Sequence, residues 1–279
     1  MKGKYDPQKA DHESYVRRHE AKYQGKKIND NAELKKYVDE NLYDDMSPEA
    51  ISGRITKHEK HLPSISKDSI RRYIKSVYGR RVEYHRTQKK RKRRWGKKRA
   101  RVTELKDRTF IDKRPQYIQN RRYVGHAEAD FLLSGKTGQG IILSLACRKI
   151  RVSFLEQILK VTIENVHEAF QKIKKRFPEL KSVSTDNDLL LQKHKELEKL
   201  LKIKIYFCHP YSSWEKGSIE NTNKYVRKDI PKGSDISKYS KQFVRKLEAK
   251  LNRRYMKVLN YKTPLGLSPD GREKLFVIE

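Results

Sequence analysis

The stretch that decides the fold is 123–158, YVGHAEADFLLSGKTGQGIILSLACRKIRVSFLEQI. Its first two apolar runs, 123–134 and 140–149, are separated by the glycine-rich turn GKTGQG. A third run with the same apolar character follows at 150–158. Short apolar runs separated by glycine-containing turns are typical of consecutive β-strands. The sequence therefore predicts three strands in a row.

Helices and strands alternate after this stretch. Apolar residues recur at helical spacing within 160–176, and 189–202 also has a helical pattern. Short apolar runs at 180–187 and 203–209 are typical of strands, and a further helix follows the second of them. The order of three strands, helix, strand, helix, strand, helix predicts an α/β domain with a mixed sheet.

The segment 30–79 has a different pattern, with three short helices behind the N-cap residues Asn31, Ser47 and Ser66. On the last helix the basic residues Arg71, Arg72 and Lys75 fall off the apolar stripe. This arrangement predicts an all-α helix-turn-helix module whose last helix enters a DNA major groove. A small helical bundle with an ordinary solvated face fits the same pattern.

Composition sets the remaining boundaries of the predicted domains. We expect a polar N-terminal segment at 1–29, a basic linker at 80–107, and the α/β domain with a C-terminal helix at 108–279. Within 86–101, 11 of 16 residues are basic, and such a block stays extended until it meets phosphate. We therefore predict that the linker contacts a DNA backbone; a nuclear-localisation or solubility role is the alternative. The predicted linker contacts are Arg91, Arg93 and Arg94.

The net charge indicates the class of partner. The chain has 67 Lys and Arg against 35 Asp and Glu, a formal net charge of +32. Such an excess favours a polyanion, most often nucleic acid, although a merely lysine-rich protein has the same composition. The sequence shows neither an apolar leader nor a run of about 18 apolar residues, so we expect a cytoplasmic protein with no membrane partner.

Three carboxylates stand out against this positive charge. Asp130 lies within the first predicted strand, Asp186 ends a later one, and Glu220 lies on the first turn of a predicted helix. Carboxylates placed in this way can converge on divalent cations, which prefer oxygen ligands. Taken singly, Asp186 could instead make an Asx turn, and Glu220 could be a solvated acid at a helix start.

Four motifs carry a resemblance to the IS30 family of bacterial insertion-sequence transposases. They are DRTFIDKRPQYIQNRRYVGHAEAD (107–130), STDND (184–188), YFCHPYSSWEKGSIENTNKYVRKDIPKGSD (206–235) and LNRRYMKVLNYKTP (251–264). The resemblance implies a ribonuclease-H-like catalytic domain, with a mixed five-stranded sheet and helices on both faces. It also implies that Asp130, Asp186 and Glu220 are the D, D, E triad, the last two being 220 − 186 = 34 positions apart.

The resemblance further implies what the protein does. The expected activity is binding of the terminal inverted repeats of an insertion sequence, followed by metal-dependent DNA strand cleavage and strand transfer. Two Mg²⁺ or Mn²⁺ ions per active site would be held by the triad. The expected partners are double-stranded element ends and target DNA, with a homodimer or higher oligomer in the synaptic complex at the bacterial nucleoid.

Residues around Glu220 are candidates for DNA contacts, since they are basic, amide or aromatic. They are Trp214, Lys216, Asn221, Asn223, Lys224 and Arg227. The chain departs from the family pattern at Ala127, where the family has tryptophan, at Asp188, where it has glycine, and at RRYMK (253–257), where it has RPRK. A catalytically degenerate DNA-binding regulator is therefore the alternative function, and a ribonuclease or retroviral-type integrase on the same fold is a third.

Overall fold

The computed structural model describes residues 5–20, 25–88, 107–135, 138–210 and 212–267. These residues form two compact units. The helical unit contains the described residues up to 88 together with Tyr255–Lys262, and the α/β unit contains the described residues from 107 to Arg254 and those after Lys262. No helix in the described ranges is long and apolar enough to cross a membrane.

The helical unit is built on the caps predicted from the sequence. Asn31, Ser47 and Ser66 each accept a hydrogen bond from the backbone N–H three residues further on, and they start α3, α4 and α5 as expected. The helices are α1 (Pro7–Glu20), α2 (Lys26–Asn29), α3 (Ala32–Tyr43), α4 (Pro48–Lys57), α5 (Lys67–Lys75) and α6 (Arg80–Gln88).

The helical unit extends beyond the predicted 30–79 on both sides. Helices α1 and α2 lie in the segment predicted to be merely polar, and α6 lies in the predicted linker. Val82 of α6 is 2% exposed and belongs to the same apolar core as Val38 and Ile70. A single apolar residue among basic neighbours was too weak a signal to extend the module.

A segment distant in sequence also belongs to the helical unit. The prediction placed Tyr255–Lys262 in the α/β domain, but this segment groups with the helices. The Tyr37 hydroxyl donates to the Tyr255 hydroxyl at 3.1 Å, and His58 Nε2 lies 2.8 Å from the carbonyl oxygen of Asn260. Such a contact between segments about 200 residues apart is invisible to local periodicity.

The α/β unit contains the mixed five-stranded sheet that the sequence predicts. Strand β2 is antiparallel to β1 and β3, whereas β4 is parallel to both β1 and β5, in the order β3-β2-β1-β4-β5. The strands are β1 (His126–Leu133), β2 (Ile141–Cys147), β3 (Ser153–Ile158), β4 (Ser182–Thr185) and β5 (Lys204–Phe207). This order and these directions are those of a ribonuclease-H-like sheet, so the predicted fold class is confirmed.

Five helices accompany the sheet in this unit. They are α7 (Gln116–Gln119), α8 (Ile163–Arg176), α9 (His194–Leu201), α10 (Gly217–Asp229) and α11 (Lys241–Asn252). Their order confirms the predicted alternation of helices and strands, including the C-terminal helix α11.

The alternation of side chains along β1 places the polar residues on one face. Glu128, Asp130 and Leu132 share a face, and Leu132 packs in a core cluster with Val226 and Ile230 at the end of α10. The carboxylates of β1 therefore face α10. Helix α8 covers the opposite face of the sheet. There, Phe154 of β3 stacks on Phe177, the residue that follows α8, with ring centroids 5.3 Å apart.

The apolar face of α8 should dominate the stability of the α/β unit. Phe170 is fully buried, so Phe170→Ala is expected to lower the free energy of unfolding by about 3–5 kcal/mol through lost contacts and a cavity. Lys172→Ala, on the exposed face of the same helix, is the matched control and should change it by less than about 0.5 kcal/mol. Urea unfolding followed by circular dichroism measures both; equal effects would contradict the assigned packing.

His126 at the start of β1 should make stability depend on pH. Burial, with the charges of Lys181, Arg148 and Arg114, lowers the pKa of His126 to about 4. A histidine in an unfolded chain has a pKa near 6.5, so the unfolded state binds more protons between these values. The contribution of His126 to the free energy of unfolding is therefore fully present above about pH 6.5 and decreases as the pH falls toward 4.

Replacing His126 should remove this part of the pH dependence. The loss of unfolding free energy between pH 7 and 4.5 is expected to be about 2 kcal/mol smaller in His126→Gln than in the wild type. Ser182→Ala is the control, because it removes the 2.8 Å contact to His126 Nδ1 but leaves the ring buried. Urea unfolding at both pH values tests this, and identical slopes for wild type and His126→Gln would refute it.

Candidate active site

Two of the three predicted carboxylates meet at one cation. Asp130 lies in β1, and Asp186 follows the last residue of β4, the parallel neighbour of β1. Lys216 Nζ lies 2.7 Å from Asp186 Oδ2 and 3.4 Å from Asp130 Oδ1. The sheet topology thus brings together two acids that are 56 positions apart (186 − 130).

Lys216 itself is buried, although it was predicted to contact DNA. It is 5% exposed and ends the short 3-10 turn before α10. Burial works to lower the pKa of Lys216, but the charges of Asp130 and Asp186 outweigh it, and the pKa lies above its ordinary value. Lys216 therefore carries a full positive charge between the two carboxylates, and its contact with DNA stays a prediction.

Glu220 does not join this pair in the structure. It lies on the first turn of α10 with its side chain 53% exposed, and its Oε1 is 3.1 Å from Lys224 Nζ. Among the described residues, no three His, Cys, Asp or Glu side chains are close enough to hold a metal ion together. The role of Glu220 as third member of the triad stays a prediction.

The ligand chemistry of the two carboxylates suits a divalent cation. Both side chains are accessible, at 34% for Asp130 and 59% for Asp186, and the Lys216 ammonium shows that a positive charge is stable between them. Asn223 Nδ2 donates to Asp130 Oδ2 at 2.7 Å and orients that carboxylate. Carboxylate oxygens are the ligands that Mg²⁺ and Mn²⁺ prefer, so Asp130 and Asp186 could hold such an ion.

Asn223 is 8% exposed and its amide nitrogen donates to Asp130, so it positions that carboxylate. Its contact with DNA stays a prediction.

Sequence reasoning missed Glu128, which holds the start of α10. Glu128 is 1% exposed, and its Oε2 accepts hydrogen bonds from Ser218 N at 2.8 Å and Ile219 N at 3.0 Å. Its Oε1 lies 3.3 Å from Arg148 Nε. A carboxylate at a helix N-terminus satisfies unpaired N–H groups and the helix dipole. The signal was present, because Glu128 precedes Asp130 by two positions and therefore shares its face of β1.

Ala127 and Asp188, which depart from the family pattern, have different positions in the structure. Ala127 is buried on the opposite face of β1 from Asp130. Asp188 Oδ1 accepts a hydrogen bond from Leu190 N at 2.9 Å and caps the short 3-10 turn that follows β4. Asp188 thus supports the local backbone, which is the role expected of an aspartate at such a turn.

The remaining predicted DNA contacts have varied surroundings. Arg71 and Arg72 are exposed on α5, where Arg71 pairs with Asp68 at 2.7 Å, and Lys75 pairs with Glu83. Arg91, Arg93 and Arg94 lie outside the described residues.

Around α10, three further candidates differ in exposure. Asn221 is exposed, and Trp214 is exposed by 76%. Arg227 is half-buried, and its Nη2 donates to the carbonyl oxygen of Leu133 at 3.3 Å. Asn221 and Trp214 are therefore free to meet a ligand, whereas Arg227 already stabilises the end of β1.

The sheet order and the carboxylate pair define a ribonuclease-H-like catalytic domain. No family model matches the chain. It is 33% identical over 235 residues to the transposase for insertion sequence element IS4351 of Bacteroides fragilis, which covers 83% of this chain and 71% of that protein. It is also 33% identical over 259 residues to transposase InsI for insertion sequence element IS30A of Escherichia coli. The matched region is 88% of this chain and 66% of that protein.

The chain belongs to the IS30 family of insertion-sequence transposases, as the sequence motifs predict. Among solved structures, it is similar to a chain of the simian T-cell lymphotropic virus intasome, with 14% identity, 51% of this chain and 53% of that chain covered, and a TM-score of 0.43. It is also similar to the catalytic core domain of BIV integrase, with 15% identity, 50% and 90% covered, and a TM-score of 0.39.

Glu128 should be essential for stability, in contrast to Glu220. Glu128→Ala is expected to lower the free energy of unfolding by about 3–5 kcal/mol, because Arg148 stays buried without its counter-ion and two N–H groups of α10 lose their acceptor. Glu220→Ala on the exposed turn is the matched control and should cost less than about 1 kcal/mol. Chemical denaturation without added metal measures both; a Glu128→Ala variant as stable as Glu220→Ala would contradict the assigned anchoring role.

Proposed function

We propose that this chain is a DDE transposase that binds the terminal inverted repeats of its insertion sequence and catalyses metal-dependent strand cleavage and strand transfer. The observation that carries the proposal is the meeting of Asp130 and Asp186 at one buried positive charge. It occurs in a ribonuclease-H-like sheet, in a chain of a transposase family. The reaction class is polynucleotidyl transfer.

In this proposal, Asp130 and Asp186 hold one divalent ion, and Asp130 and Glu220 flank a second. Mg²⁺ or Mn²⁺, when bound, would supply positive charge that stabilises the charge developing on the scissile phosphate. Glu220 is exposed and contacts Lys224 through a surface ion pair, which is weak, so its side chain can change rotamer at small cost. The Asn223 amide keeps the Asp130 carboxylate in one orientation.

Double-stranded DNA is the proposed partner. A net charge of +32 supports binding through phosphate neutralisation, and this part of the affinity should fall steeply with salt. Exposed Arg71 and Arg72 on α5 make that helix the proposed groove-reading element of the helical unit. The protein would act on the bacterial nucleoid, and joining two element ends would require at least a homodimer. Nothing in the described residues or in the relatives favours a degenerate regulator.

Loss of one catalytic carboxylate should separate chemistry from binding. Asp130→Asn is expected to reduce Mg²⁺-dependent cleavage of DNA carrying the element ends on the order of a hundredfold or more, because a neutral amide cannot balance the ion's charge. Binding of the same DNA should change by less than about twofold in a gel-shift titration.

Asp188→Asn is the matched control for this experiment. It neutralises a neighbouring acid but keeps the side-chain oxygen that caps Leu190 N, so cleavage should stay within about twofold of wild type. If the wild-type chain binds the element ends but neither nicks nor joins them with Mg²⁺ or Mn²⁺, the transposase proposal is wrong.

A further inference from the structure

A cavity of about 660 Å³ adjoins the carboxylate pair within the α/β unit. Glu128 lines it and lies two positions before Asp130 on the same face of β1, while Gly217, another lining residue, follows Lys216 directly. Ligand sites in proteins are typically about 300–1,000 Å³ in volume, so the cavity is large enough for one mononucleotide unit.

Three arginines line this cavity, and two of them have buried donors without a hydrogen-bond partner within the described residues. They are Arg114, Arg121 and Arg148. The side chain of Arg148 is 6% exposed; its Nε faces Glu128 Oε1 at 3.3 Å, and its Nη1 has no hydrogen-bond partner within the described residues. Arg114 Nε likewise has none there, whereas Arg114 Nη1 donates to Ser184 Oγ at 3.1 Å and its Nη2 donates to Gln119 Oε1. Buried charged donors without acceptors cost free energy unless a ligand satisfies them.

Burial acts against the charged form of these arginines, although Glu128 lies against Arg148. Burial and the nearby charge of Arg114 together lower the pKa of Arg148 to about 10, against the opposing effect of Glu128. Burial likewise lowers the pKa of Arg114. Both lowered pKa values indicate that burial destabilises the charged guanidinium groups, and a bound anion would stabilise them.

The acidic residues of the cavity wall all have protein partners. Glu128 accepts two backbone N–H groups of α10 through Oε2, and its Oε1 lies against Arg148 Nε. Glu215 accepts from His209 N and faces His209 Nδ1, each at 2.9 Å, and Asp112 Oδ2 lies 2.8 Å from His209 Nε2. The hydrogen bond to Glu215, with the charges of both acids, raises the pKa of His209. These carboxylates therefore do not bond Arg148 Nη1 or Arg114 Nε, which remain for an anion.

An exposed aromatic ring completes the cavity wall. Trp214 lines the cavity and is 76% exposed. Nucleic-acid bases stack on such rings whatever their sequence, and arginines bind phosphate through paired, charge-assisted hydrogen bonds. The combination of a desolvated arginine cluster with a free indole matches the two ends of a nucleotide.

We propose that this cavity binds one nucleotide of a DNA strand beside the scissile phosphate. Its phosphate contacts Arg114, Arg121 and Arg148, and its base stacks on Trp214. The inference rests on the proposed function in one respect, namely that the nucleotide belongs to the DNA substrate.

The fluorescence of Trp214 provides a direct test. The sequence contains two tryptophans, Trp95 and Trp214, so the emission of a Trp95→Phe variant of the full chain reports on Trp214. This variant is titrated in EDTA with single-stranded oligothymidine of about six nucleotides, and separately with inorganic phosphate. The oligonucleotide is expected to change the emission and to bind more tightly than phosphate.

A neighbouring pair of arginines gives the matched variants. Arg121→Gln, made in the same background, should weaken oligonucleotide binding about tenfold, because a charge-assisted contact is lost in a half-buried site. Arg122→Gln removes the same net charge, but Arg122 is exposed beside the Tyr123 ring and does not line the cavity, so it should weaken binding less than about twofold. Neither variant removes a hydrogen bond of the anchoring contacts around Glu128.

Two results would overturn the proposal. Equal weakening by Arg121→Gln and Arg122→Gln would mean that only general charge attraction operates, and phosphate binding as tight as oligonucleotide binding would mean that the site holds an anion rather than a nucleotide. Because the titration involves neither metal nor cleavage, a chain that cuts DNA without any Trp214 response would overturn the cavity assignment alone. A chain that binds the oligonucleotide at Trp214 but never cuts DNA would overturn the proposed function alone.

Discussion

The buried carboxylate of Glu128 connects the two elements that carry the candidate site. It belongs to β1, which also holds Asp130, and it accepts two backbone N–H groups from the start of α10, which holds Glu220 and Asn223. A charge that is 1% exposed is stable only where it is paired and hydrogen-bonded, and Arg148 with the helix N-terminus meets both requirements. Glu128 therefore holds the first turn of α10 against β1, directly after Lys216, which contacts the carboxylate pair.

The electrostatics of the α/β unit follow from this arrangement. Asp130 and Asp186 would repel each other if they met alone, and Lys216 balances them where an ion could bind. On the other side of Glu128, three arginines and three acids line a cavity in which Arg148 Nη1 and Arg114 Nε, within the described residues, have no hydrogen-bond partner. The carboxylate pair, which suits cations, thus lies beside the arginine-lined cavity, which in our proposal binds phosphate. A scissile phosphodiester approaching its metal ions requires both kinds of surface.

Much of the fold could be predicted because its signals are local. The caps at Asn31, Ser47 and Ser66, the apolar runs of the strands and the amphipathic pattern of α8 each depend on neighbours within one or two turns. The extra helix α6 was missed because Val82 alone marks its buried side. Tyr255–Lys262 was misplaced because its contacts with the helical unit join segments about 200 residues apart.

For the candidate site, the sequence by itself determined the acids, their order and their spacing, together with the family, since motifs of this length specify residue types position by position. Only the tertiary structure decided which groups meet. It buried Lys216 and Asn223 against Asp130, left Glu220 on an exposed turn, and gave Glu128 its anchoring role. The physical reason is that burial and pairing of charges depend on strand adjacency and on where a helix begins in space, and a linear pattern contains neither.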